Sequence, residues 1–293
     1  MRGASNTSAR LTRRGAIGVG LAVPGAAIAG PSLLQRPAQR VVSLNPCLDQ
    51  ILVAVADRSQ VAARSHYARD PQASSIAALA KSYPQTFESA EEVMMLRPDV
   101  VLASRHTAPA TREALTRLSV AYEPFGVPNT VDASLAQITR IAALVGHPDR
   151  GAALVSRIDD ALAAGAGPPG ARPVTVLVFQ PRGFAAGDGT LMNELLTRAG
   201  FVNVAARYGI RRWGDVSLER LIADPPELLL SGETSPGAPT WAERIVTHPA
   251  LGAIAGRLHR AVLPERLLYC GGPSMIETAR LLAAARRAVE AGT

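Results

Sequence analysis

From Arg40 onward, short apolar and β-branched runs alternate with segments whose apolar residues recur at helical spacing. That alternation is the pattern of a mostly parallel sheet covered by helices. Val41 to Leu44 reads as a first strand and Cys47 to Ala56 as its helix. Val61 to Ala63 is a weaker strand leading into a polar loop from Arg64 to Pro71. Glu88 to Leu96 has helical spacing, and Arg97-Pro98-Asp99 stops it ahead of a strand over Val100 to Ala103. A helix over Ala108 to Leu118, a strand near Val120 to Tyr122 and a helix over Val131 to Val145 complete this half, residues 40–146.

His147-Pro148-Asp149 then opens a helix running to about Ala164, and the Gly/Pro stretch from Gly165 to Gly170 stops it. Roughly 17 residues at 1.5 Å each make a rod of about 25 Å, long enough to connect two lobes over residues 147–166. The alternation restarts over 171–293. Val174 to Phe179 and Leu228 to Ser231 read as strands, Leu191 to Ala199 and Leu218 to Ala223 as helices, and Leu267 to Cys270 as a last strand. Ser274 to Ala291 is a long amphipathic helix.

Charge changes this picture only at the start of the chain. Four of the 31 basic residues, Arg2, Arg10, Arg13 and Arg14, lie in the first 29 positions, which hold no acid; 27 basic against 24 acidic residues remain. That balance gives no support to a nucleic-acid partner. The basic start, the Arg13-Arg14 pair, the uncharged run from Gly15 to Gln35 and the small residues Ala27-Ile28-Ala29 together read as a twin-arginine-like signal peptide over residues 1–29, cleaved on export to the periplasm. A retained anchor is the alternative, since the uncharged run is 21 residues long; its glycines and prolines favour cleavage.

Three segments carry a resemblance. RVVSLNP (40–46), SAEEVMMLRPDVVLAS (89–104) and WGDVSLERLIADPPELLL (213–230), with the tail from His248 to Leu282, resemble in order and spacing the cobalamin and ferric-siderophore binding proteins of class III ABC importers. The resemblance implies an α/β fold of two Rossmann-like lobes with mostly parallel sheets, joined by one long α-helix, with the ligand cleft between the lobes. It further implies a monomeric periplasmic protein, not an enzyme, which passes a metal chelate (siderophore, corrinoid or haem) to an ABC permease in the inner membrane. Members of the family dock through one exposed Glu on each lobe, and Glu91 and Glu219 stand at the matching positions. The alternative for both is helix capping, because a helix N-terminus favours an acid and Ser89 and Ser217 sit just ahead of them.

Loops that follow strand ends supply the ligand-binding candidates: Asn45, Pro46 and Cys47; Ser65, His66 and Tyr67; Arg105 and His106; Gln180 and Arg182; Arg211, Arg212 and Trp213; Tyr269 and Cys270. The arginines would form a cationic rim for carboxylate, hydroxamate or phosphate groups. Cys47 and Cys270 are the only cysteines. They could form a disulfide, touch a bound metal together with His66 or His106, or be inert. No zinc motif is present and no cofactor is expected. A rival reading is an exported α/β enzyme with a cleft Cys/His cluster as nucleophile and base, although no G-x-S-x-G elbow is present. Aromatic residues make up 4% of the chain, which makes a broad aromatic cradle less available than in some corrinoid binders.

Overall fold

A computed structural model of the chain describes residues 36–233 and 240–292; the export segment expected over residues 1–29 lies outside the described residues. In chain order the elements are β1 (Val41–Ser43), α1 (Pro46–Val55), β2 (Val61–Ser65), α2 (Ala77–Ala80), β3 (Gln85–Thr86), α3 (Ala90–Met95), β4 (Val100–Ser104), α4 (Pro109–Arg117), β5 (Tyr122–Phe125) and α5 (Val131–Leu144). They are followed by α6 (Pro148–Ala164), β6 (Val174–Phe179), β7 (Phe184–Ala186), α7 (Leu191–Arg198), β8 (Phe201–Asn203), β9 (Trp213–Asp215), α8 (Leu218–Ala223), β10 (Leu228–Ser231), β11 (His259–Val262) and α9 (Ser274–Gly292). The first lobe carries a five-stranded sheet in the order β3-β2-β1-β4-β5, and the second a four-stranded sheet in the order β11-β10-β6-β8. Every pairing in these two sheets is parallel. A separate antiparallel ribbon, β7 with β9, lies in the second lobe.

Helix starts follow local chemistry. Asn45, Ser89, Thr130, Thr190 and Ser217 are all extended, and each accepts a backbone N–H of the first turn that follows, leaving fewer orphan donors at the N-terminus. Pro148 sits in the first turn of α6, where its missing N–H costs nothing. Leu154, Ile158 and Leu162 of α6 are buried at helical spacing. They join one cluster that takes in Leu48 and Ile51 of α1, Ile138 and Ile141 of α5, Leu195 and Leu196 of α7, and Met275 and Leu282 of α9. The core therefore runs through both lobes. Smaller clusters line the far face of each sheet: Val42, Ala63, Val93, Val101 and Leu115 in the first lobe, and Leu177, Phe179, Leu221, Leu229 and Leu251 in the second.

Several elements depart from the sequence reading. The expected strand at 267–270 is absent: Glu265–Leu267 is a 3-10 turn, and Leu267 and Leu268 are core residues of the shared cluster. The edge strand lies earlier, at His259–Val262, whose alternating half-exposed and exposed residues conceal it from an apolar-run search. Ser119 has φ 56°, so the strand expected near 120–122 begins only at Tyr122. Glu88 has φ 73° and Ser89 is the cap, which moves the start of α3 to Ala90. The polar loop expected from Arg64 is instead strand up to Ser65. The Arg64 side chain is fully buried and donates to the carbonyls of Ala80, Ser65 and Tyr83.

At the crossing of α6 with α5, a Cβ on Gly151 would lie 2.5 Å from the Ala142 Cβ, whereas one on Gly252 would meet nothing within 4 Å. Gly151→Val is therefore expected to lower unfolding free energy by about 1–3 kcal/mol through overpacking. Gly252→Ala should stay within about 0.5 kcal/mol of the parent. Paired denaturant titrations check both, and equal costs would mean the crossing relaxes freely.

Candidate functional site

Both parallel sheets turn the loops after their strands toward one cleft of about 700 Å3, the usual place for a small molecule on such sheets. In the first lobe, Asn45 Oδ1 accepts the N–H of Cys47 at 2.9 Å and of Leu48 at 3.4 Å; this starts α1 and sets Pro46 and Cys47 at the cleft floor. After β4, Ser104 Oγ accepts from His106 N–H and Thr107 Oγ1 accepts from Ser104 N–H, each at 3.1 Å. That tight turn leaves Arg105 and His106 exposed on the cleft wall. Phe125, at the end of β5, lies on the same side together with Val127 and Pro128.

The second lobe answers with aromatic rings. Pairing of β7 with β9 brings Phe184 and Trp213 into parallel stacking, with centroids 5.4 Å apart and planes 6° apart. Tyr269 closes the group at 5.6 Å from Trp213 and 6.3 Å from Phe184. Burial, with the Glu265 carboxylate acting in the same direction, pushes the Tyr269 phenol up to about 12, so it stays a neutral donor. Arg266 also lines the cleft, but its guanidinium is engaged with Glu277 at 2.7 Å and Glu233 at 3.5 Å. Arg105 and Arg212 line the cleft without an ion pair among the described residues.

Cys47 and Cys270 are joined as a disulfide, with Cα atoms 5.1 Å apart, at the meeting of the two lobes. Of the three roles left open for them, the structure selects the bond. Neither sulfur is then a thiolate, so the Cys/His nucleophile of the rival enzyme reading has no free thiol and a cysteine–metal contact is removed. Among the described residues no group of three or more His, Cys, Asp or Glu side chains is placed to hold a metal ion.

Of the sequence candidates, Cys47, Arg105, His106, Arg212, Trp213 and Cys270 meet in the cleft, with Asn45, Pro46 and Tyr269. Arg182 lies in an adjoining groove that shares Phe184, Trp213 and Tyr269, at 4.0 Å from Asp215. His66 and Tyr67 do not line the cleft. Their rings meet tilted, with centroids 3.9 Å apart, Phe87 stacks on His66 at 5.1 Å, and His66 Nδ1 is 3.6 Å from Glu88. Gln180 is buried and donates to the Leu263 carbonyl, and Ser65 donates to Asp49, so both serve the scaffold. Arg211 is exposed and lies outside the cleft lining. Phe184 and Phe125 were missed by the sequence reading. Phe125 ends β5, which begins at Tyr122 and so runs beyond the strand expected near 120–122, and Phe184 begins a strand of three residues, too short to show period-2 alternation.

Glu91 and Glu219 are both exposed in the first turns of α3 and α8. At α3 the capping is done by others: Ser89 Oγ accepts from Glu92 N–H, and the Glu92 carboxylate accepts from Thr86 Oγ1 and Phe87 N–H. Glu219 is held below the usual carboxylate range by its own backbone N–H and the Ser217 hydroxyl, so part of its role is local.

A family model described as periplasmic binding protein matches residues 41–258. A cobalamin-binding protein of Halobacterium salinarum is 26% identical over 214 residues, which make up 71% of this chain and 58% of that protein, so the chain spans less than two thirds of this relative's length. Among solved structures, a periplasmic heme binding protein from Pseudomonas aeruginosa has TM-score 0.67 at 24% identity, over 85% of this chain and 92% of the other. The periplasmic vitamin B12 binding protein of Vibrio cholerae has TM-score 0.66 at 18% identity, over 87% and 98%. These structural likenesses concern the fold.

Beneath the floor, Asp49 is fully buried and accepts from Ser65 N–H and Ser65 Oγ; burial nevertheless raises its carboxyl from 3.8 to about 7. The folded state therefore keeps a proton that the unfolded chain has already lost between about pH 4 and pH 7, and stability should fall as pH rises through that window. Glu88, raised to about 7 by burial, acts in the same direction. Asp49→Asn is expected to flatten the fall, as read from unfolding free energies at half-unit pH steps. An unchanged slope would show that the Ser65 bonds outweigh burial.

Proposed function

The chain belongs to the periplasmic binding protein family, and from that premise we propose that it is the exported substrate-binding protein of an ABC importer, carrying a metal chelate of the corrinoid class to a permease in the inner membrane. The observation that carries the choice of chelate is the ring wall of Phe184, Trp213 and Tyr269 facing Phe125 across the cleft. A corrin ring offers a broad apolar face, and stacked or tilted aromatic rings bury such a face with little loss of side-chain freedom. The unpaired Arg105 and Arg212 suit the phosphodiester of a complete corrinoid, and Asn129 and Gln72 at the cleft suit its peripheral amides. The cobalamin-binding relative points the same way.

His106 supports a second reading. Its imidazole is exposed on the cleft wall, where it could complete the coordination of a haem iron, with Arg105 and Arg212 taking the propionates. A ferric siderophore is the third chelate the arginines would accept. In each case the protein works as a monomer and holds the chelate without turnover. The lobes are taken as 40–146 and 171–293, with 147–166 as the connector. Glu91 and Glu219 are assigned to the permease, where exposed charges steer and orient an encounter more than they set its affinity.

Titration calorimetry with cyanocobalamin, hemin and ferrichrome, each followed by absorbance, separates the three. The expected outcome is stoichiometric binding of cyanocobalamin. Trp213→Ala should weaken it by about 1–3 kcal/mol, the scale of a buried aromatic anchor. Arg105→Ala or Arg212→Ala should each cost about 1.5–3 kcal/mol, as for a charge-assisted hydrogen bond. Tight hemin binding with no cyanocobalamin response would instead select the His106 reading.

Glu91→Ala with Glu219→Ala should leave the cleft's affinity within about threefold while slowing uptake in cells, since neither residue lines the cleft. Unchanged uptake would overturn the docking assignment and leave Glu219 only its local role at the start of α8.

A further inference from the structure

The Cys47–Cys270 bond joins positions 223 residues apart, one in the first turn of α1 and one in the loop ahead of α9. It is a second covalent link between the lobes, in addition to α6. The bond is not isolated. Gly272 N–H donates to Ser134 Oγ of α5 at 2.7 Å. A Cβ on Gly271 would come within 2.1 Å of that same oxygen, and one on Gly272, at φ 74°, within 2.8 Å of Ile51 of α1. The segment 270–272 of the second lobe therefore lies directly on α1 and α5 of the first, and only glycine admits that approach. A further tie runs from Val131 N–H at the start of α5 to Glu194 Oε2 of α7 at 2.8 Å.

Position in the cleft gives this docking its consequence. Both cysteines line the cleft, and Cys270 directly follows Tyr269, the ring that completes the aromatic wall. On the other side Cys47 follows Asn45 and Pro46, which also line it. We propose that the Cys47–Cys270 disulfide is a positioning element for ligand recognition: it pins the floor of the cleft, so that the Tyr269 wall is held at a preset distance from the first lobe before ligand arrives. The lobes can then flex only at the mouth, and the ligand meets a surface already in its binding arrangement. Without the bond the 268–273 segment can lift from α1 and α5, the competent fraction falls, and apparent affinity falls with it. The ligand part of this inference rests on the cleft being the binding site; the conformational part does not.

The test uses one protein in two states. A trialkylphosphine, itself oxidised to the phosphine oxide, converts the disulfide into two protein thiols, and air with copper restores the bond. Thiol titration counts zero and then two; two thiols in the untreated exported protein would overturn the proposal at once. Hydrogen exchange of the ligand-free protein is expected to rise on reduction at residues 268–273 and 128–134 and to return on reoxidation, while β1, β4, β6 and β10 stay protected. No change at those two segments overturns the proposal. A rise spread evenly over all strands also overturns it, because the bond would then be a general stabiliser. Cyanocobalamin affinity of the reduced protein, and of Cys47→Ser with Cys270→Ser, should be about five- to tenfold weaker. Unchanged affinity with altered exchange overturns the recognition role. Should the oxidised protein bind no cyanocobalamin, the corrinoid assignment has failed, and the exchange experiment still decides the tether.

Discussion

The hydrophobic core that passes through both lobes is the constraint on which the rest of the molecule depends. Leu48 and Ile51 from α1, Ile138 and Ile141 from α5, Leu154 and Ile158 from α6, Leu195 from α7 and Leu282 from α9 belong to one continuous cluster. Burying such a side chain stabilises by about 1.5–3 kcal/mol relative to exposure, so separating the lobes along this surface would forfeit several such contributions at once. A connector that was merely a rod would leave the lobes free to rock. Here α6 is packed into the common core, and Gly151 and Gly165 bring it against α5 and α9.

With one side of the lobe junction occupied by core, the opposite side, where the strands end, is left for the cleft. Its two walls are unlike. The second lobe presents rings, and the first presents Arg105, His106 and a short apolar edge. The polar chemistry that shapes the first lobe lies beneath the surface: Arg64 is fully buried among three carbonyl acceptors, and Asp49 is buried against Ser65. Such groups are tolerated inside because their bonds are made, and they hold the loops after β1 and β2 in place.

Composition proved a poor guide to this site. Aromatics are 4% of the chain, yet Phe125, Phe184, Trp213 and Tyr269 all reach one cleft. A chain-wide average carries no information about where residues converge. His66 and Tyr67 show the converse error. They follow a strand end as cleft residues should, but the 3-10 turn after β2 sets His66 against Phe87 and Glu88 instead.

The sequence by itself determined the α/β class, the family, the long helix at 148–164 and most strands, because these rest on periodicity, caps and proline, which act within a few residues. It also brought six of the nine ligand-binding candidates to the cleft, since loops after strand ends are legible once the strands are. Only the tertiary structure decided that Cys47 and Cys270 are bonded, that Phe184 stacks on Trp213, and that His259–Val262, not 267–270, forms the edge strand. Each of those depends on residues far apart in the chain. The bond needs two Cα atoms to come within about 7 Å of each other, and no local pattern records whether the fold will bring them there.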